Sequence, residues 1–211
     1  MKKHSLIAIG MVGISMLFLS SCQKEVLAPS SLRDAELNSS AKSGPVWRAY
    51  KDTAATYYSV VPDFANGASP ETGYLPAWFP GGGSGTATHM GKIHNLFNQY
   101  ATLGPGGLTS VVAPVTQFFE AQLAAAGITG VPSTVNSITF DDKGNSIWIQ
   151  ANQPTVSTPV SPTLINYTGG GNIVGGTGKF ANATGSVVVN GHFNPTDLND
   201  AAYGSRGNIK Y

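Results

Sequence analysis

Beyond Gly44 the apolar and polar positions alternate mostly with a period of two, and a helical period emerges only once. Ile138 and Phe140 share one face of a predicted strand, while Val135, Ser137 and Thr139 share the other. Asp141-Asp142-Lys143-Gly144 follows with turn chemistry, glycine being free to take a positive φ. Ile147, Ile149 and Ala151 then alternate against Trp148 and Gln150, which completes a hairpin. Val187, Val189 and Phe193 alternate in the same way against Val188, Asn190 and His192. Further strands are expected at 46–51, 56–61, 86–100 (bent at Gly91), 163–167, 172–175 and 207–211. The exception is 114–126, where Val115, Phe118, Phe119, Gln122, Leu123 and Ala126 fall at helical spacing. Pro114 at the start and Gly127 just past the end are boundary residues of a helix. Such a helix either packs against the wall of a β structure or closes the mouth of a barrel like a lid.

The first residues follow another pattern. Lys2 and Lys3 precede an uncharged apolar run from Leu6 to Leu19, shorter than the about 20 residues that span a bilayer. A basic start and a short apolar run are the marks of a signal peptide, placed here at 1–21. The run closes on Leu19-Ser20-Ser21-Cys22, which resembles the bacterial lipobox: an aliphatic residue, two small residues and a cysteine whose thiol takes the lipid. Cys22 is therefore the expected lipidation site and the link to a membrane partner. The next residue is Gln23 rather than Asp, so outer-membrane sorting is expected, with the leaflet left open. Residues 22–43 read as the lipidated cysteine and a tether, too poor in periodic apolar positions to offset the entropy of ordering.

Composition narrows the reading of the remaining domain, 44–211, roughly 165 residues with room for one core. Twenty-six glycines and 13 prolines punctuate short runs of β-formers, as in an all-β domain with many turns. Charged residues make up 11% of the chain and the net charge is +1, with no basic block to neutralise phosphates, so no nucleic-acid partner is expected. Cys22 is the only cysteine, which removes disulfides, thiolate nucleophiles and cysteine metal sites from the domain.

Ile173-Val174-Gly175-Gly176-Thr177-Gly178-Lys179-Phe180, with Ala183-Thr184-Gly185 after it, is similar to the I-V-G-G-T-G-x-F…A-x-G signature of dirigent proteins and the wider allene oxide cyclase-like barrel superfamily. Gly85-Thr86-Ala87-Thr88-His89-Met90-Gly91-Lys92 resembles the T-H-L-G-K segment of bacterial members, and Gly207-Asn208-Ile209-Lys210-Tyr211 resembles their last strand. The resemblance implies a closed antiparallel barrel of about eight strands with one inserted helix. It also implies a structural turn in which Gly175, Gly176 and Gly178 let a strand leave the barrel and re-enter, with Phe180 pinned in the core. Members of the family enclose a reactive ligand, but their pocket carboxylates and histidine-rich strand have no counterpart that aligns here. No catalytic residue is carried over.

Other chemistries fail on spacing. A P-loop needs glycine where Ile173 stands and Ser or Thr where Phe180 stands, so no nucleotide is expected. Gly82-Gly83-Ser84-Gly85-Thr86 misses the nucleophile elbow at its last position. His89 and His94 fall on opposite faces of an unbent strand, so no metal is expected, nor any cofactor. Asp63, Glu71, Asp141, Asp142, Asp197 and Asp200 stand in turn-like contexts. The candidate ligand-binding residues are His89, Phe118, Phe119 and Trp148; their structural alternatives are a backbone bond at the strand bend for His89 and core or rim packing for the rings. The expected role is to bind a small apolar or amphipathic ligand or to serve as a structural envelope module, with an isomerase-like, cyclase-like or dirigent-like enzyme as the alternative. An internal cavity with a desolvated carboxylate or histidine would favour the enzyme.

Overall fold

A computed structural model describes residues 44–104 and 107–211. The expected signal peptide at 1–21, Cys22 and the expected tether to residue 43 lie outside the described residues. In chain order, strand β1 (Trp47–Tyr58) leads to the short β2 (Val61–Pro62), and β3 (Ala77–Trp78) precedes β4 (Gly81–Ala87). β5 (Gly91–Phe97) returns and is followed by β6 (Gln99–Gly104) and β7 (Gly107–Val112). The helix α1 (Thr116–Ala125) comes next, then β8 (Ser137–Phe140), β9 (Ser146–Ala151) and β10 (Thr155–Ser161). Three long strands close the chain: β11 (Leu164–Thr177), β12 (Thr184–Asn194) and β13 (Asp197–Lys210).

Every pairing is antiparallel, and the order β11–β12–β13–β1–β4–β5–β8–β9 returns to β11, a closed barrel of eight strands. β11 is long enough to hold two partners one above the other. Gly171 to Thr177 pair with β9, and Leu164 to Thr168 pair with β10. From β10 the sheet continues through β7, β6 and β3 to β2, so the wall forks at β11.

Period-two alternation decides what faces inward. Along β1, Tyr50, Asp52, Ala54 and Thr56 are buried while the residues between them are exposed. Register carries this face around the ring: Asp52 lies opposite Ser205 and Ala87, Asn95 opposite Thr139, and Tyr167 opposite Gly191. The matching positions of β4 are Gly81, Gly83 and Gly85, which leave the middle of the barrel without side chains from that wall. Gly191 is bare for a related reason: the Tyr167 ring lies over it, where a Cβ would collide.

Apolar residues collect in two places. One cluster fills the lower barrel, built from Met90, Ile93, Ile147, Ile173, Phe180, Val187 and Ile209 among others. The other lies outside the wall, where Leu96, Ile138 and Phe140 meet Val115, Leu123, Ile128 and Val135 around the helix. α1 is therefore a wall helix: Leu123 is buried, Phe119 packs beside it, and Gly127 at φ 75° ends the last turn. Phe118 is less well covered: it is 37% exposed, with its ring centroid 6.4 Å from that of Trp78 and the two rings tilted.

Several predicted strand limits shift. The segments at 46–51 and 56–61 are mostly one strand, β1, and 163–167 joins 172–175 in β11. The strand expected at 86–100 with a bend at Gly91 is instead a hairpin of β4 and β5, with His89 at φ 68° in the turn. The β6–β7 hairpin and β10 have no counterpart in the sequence reading. The turn at Asp141 forms as its residues suggest. Its Oδ1 accepts the Lys143 and Asn145 backbone N–H groups at 2.9 and 3.0 Å. Burial opposes ionisation there, but the hydrogen bonds from Asn145 and Lys143 prevail and hold the carboxyl below its usual range.

Candidate functional site

The upper barrel holds a chamber of about 130 Å³, and its boundaries follow from the strands just described. The packed lower cluster is the floor. β1, β5 and β13 supply Asp52, Thr56, Tyr58, Asn95, Tyr203 and Ser205; β11 and β12 supply Tyr167 and Phe193; β7 and β10 supply Leu108 and Ser157 towards the rim. A buried water needs roughly 10–15 Å³ of such space. The chamber thus takes an organic molecule of about ten non-hydrogen atoms.

Asp52 is the hub between floor and chamber. It is 1% exposed, because its inward position on β1 lies under two flanking strands. Its Oδ1 accepts the Ser205 backbone N–H at 3.1 Å and also the Ser205 hydroxyl. Its Oδ2 accepts the Tyr50 hydroxyl at 2.9 Å, with the Tyr203 hydroxyl at 3.4 Å and Thr139 Oγ1 at 3.5 Å. Among the described residues the one salt bridge pairs His94 with Asp142 on the surface, so Asp52 has no ionic partner there.

Hydroxyls around the chamber are held in their neutral form. Burial, reinforced by the Asp52 charge, raises Tyr50 and Tyr203 well above the usual tyrosine range. Burial alone does the same for Tyr167, and at Tyr58 the nearby Tyr167 adds to it. Tyr58 Oη and Asn95 Oδ1 are buried without a hydrogen-bond partner among the described residues. Unsatisfied buried polar atoms beside a chamber are uncommon in folded proteins and call for an explanation.

None of the four ligand-binding candidates lines this chamber. His89 sits in the β4–β5 turn, its Nε2 3.0 Å from the Ala49 carbonyl and its ring against Tyr211. Phe118 and Phe119 belong to the wall helix. Trp148 lies on the outer face of β9 and donates its indole N–H to Ser146 Oγ at 2.8 Å. The glycine motif forms the underside of the floor. Gly178 takes φ 59°, a Cβ at Gly176 would strike the Ser146 carbonyl, and Phe180 is fully buried with its ring centroid 4.6 Å from that of Tyr211. Asp52, Tyr58, Asn95, Tyr167 and Tyr203 were not singled out by sequence. The available signal is the alternation from Tyr50, which puts Asp52 inside once β1 is read as one strand.

Comparison of the chain with family models, with curated proteins and with solved structures finds no match.

Proposed function

We propose that this chain is a lipid-anchored envelope protein whose barrel receives a small amphipathic molecule in its lumen. The chamber carries the proposal: aromatic rings and bare glycines make room, and the hydroxyls and amides among them offer orientation. The resemblance of the Ile173–Phe180 segment to dirigent-type barrels agrees with a protein that acts by enclosing its ligand. The lipobox at Cys22 supports the anchoring, and Gln23 the outer membrane.

Filling the chamber tests the receptor reading. Ala201 is 7% exposed and faces the lumen, so Ala201→Leu adds carbons to empty space rather than to a packed core. Indole binding by the purified full-length chain, measured calorimetrically, is expected to weaken at least tenfold while the melting temperature holds or rises. Indole that binds both forms equally refutes the receptor. For the anchor, Cys22→Ala is expected to move the chain out of the membrane fraction and end acyl labelling. Labelling that persists in this variant rules the anchor out.

One observation favours an enzyme as the second reading, namely the buried Asp52 carboxylate at the chamber wall. Both of its oxygens already hold protein donors, which lowers its capacity as a base and makes binding the stronger reading.

A further inference from the structure

Among the described residues, the chamber lining contains one charged residue, Asp52, and no lysine, arginine or histidine. Six aromatic residues share that lining: Tyr58, Phe79, Phe97, Tyr167, Phe193 and Tyr203. A buried carboxylate without a counter-charge is costly, and hydroxyl donors offset only part of the cost. The donors at the floor are spent on it. Ser205 gives its hydroxyl proton to Oδ1, and the Tyr203 hydroxyl is directed at Oδ2. Each of these oxygens is left with lone pairs for the space beside it, so the floor offers acceptors under a negative charge.

Resting on the receptor reading above, we infer that the ligand is an organic cation: an ammonium group on a small apolar body, its nitrogen near the Asp52 floor and its body among the rings. A ring face attracts a cation electrostatically, and the attraction grows when water is excluded. A carboxylate or phosphate in the same place would meet the Asp52 charge with no compensating cation. A bare metal ion fits poorly, because hard cations gather several oxygen ligands and a single saturated carboxylate is present.

Three probes of one shape decide the matter on the full-length chain: benzylammonium, benzyl alcohol and benzoate, titrated calorimetrically at neutral pH. Benzylammonium is expected to bind at least tenfold tighter than the alcohol, and benzoate weakest of the three. Asp52→Asn keeps the shape and removes the charge, so it should bring benzylammonium within about threefold of the alcohol. Ala201→Leu should abolish the ammonium binding, since binding that survives would place the amine on the surface and overturn the inference. If the alcohol equals or exceeds benzylammonium in the unmodified chain, the cation is wrong while the receptor stands. If none of the three binds, and indole does not either, the receptor and the cation fall together. The ranking in the unmodified chain decides by itself if Asp52→Asn does not fold.

Discussion

Replacing Phe180 with alanine is expected to lower the stability of the barrel by about 3–5 kcal/mol, the range for an aromatic ring removed from a closed core. The ring is fully buried, packs edge-on against Tyr211 and sits among Ile147, Ile173, Val187 and Ile209 at the barrel floor. The site has little freedom to collapse. Gly176 is already pressed against the Ser146 carbonyl, and Thr177 Oγ1 is tied to the Gly144 carbonyl at 2.7 Å. A cavity left there stays open, which puts the cost at the upper part of the range. The neighbouring residue is the internal control. Lys179 is exposed and its ammonium donates to the His89 carbonyl, so Lys179→Ala should change stability by no more than about 0.5–1 kcal/mol. Chemical denaturation of the two variants checks this, read from midpoints at unchanged slope. Equal small losses would mean that Phe180 does not hold the floor.

Asp52→Ala is expected to cost about 3 kcal/mol, because it strips the acceptor from several buried donors at once. Ser205 loses the partner of both its N–H and its hydroxyl, and Tyr50 loses the partner of a hydroxyl in the packed lower cluster. Asp52→Asn should cost less, about 1 kcal/mol, since its carbonyl still accepts from Ser205 and the Tyr50 hydroxyl can turn to accept from the amide. The order matters more than either value. If alanine is tolerated as well as asparagine, water from the chamber satisfies the freed donors and Asp52 does not bind β1 to β13. Thermal melts of the two variants beside the unmodified chain give the ranking.

What could be read from sequence was whatever local chemistry decides. The Asp141 turn, the helix near 116–125 and the glycine excursion before Phe180 each depend on residues within a few positions of one another. The eight-stranded barrel with one helix follows from the alternation and from the resemblance of its glycine motif. The chamber was hidden because it depends on register. Gly169 and Gly170 fall between two of the expected strands, yet they are strand residues that line the chamber without side chains. Asp52 fell into an apparent gap between two strands for a similar reason: Thr53, Ala54 and Ala55 are small and weakly patterned. The aromatic candidates stand away from the chamber. Phe118 and Trp148 have the right chemistry for a ligand, but the wall turns them outward, and alternation alone does not say which face of a strand looks into a barrel.

The fork at β11 divides the labour between separate stretches of the chain. Below it the staves are completed by β8 and β9; above it β7 and β10 stand in their place, beside the same three long strands. The rim of the chamber is thus encoded apart from the keel that keeps the vessel closed. Changes in 99–112 or 155–161 can reshape the entrance without touching a residue of the floor. On the receptor reading proposed above, a lineage of such proteins could exchange its guests by rewriting those two passages while the rest of the text stays unaltered.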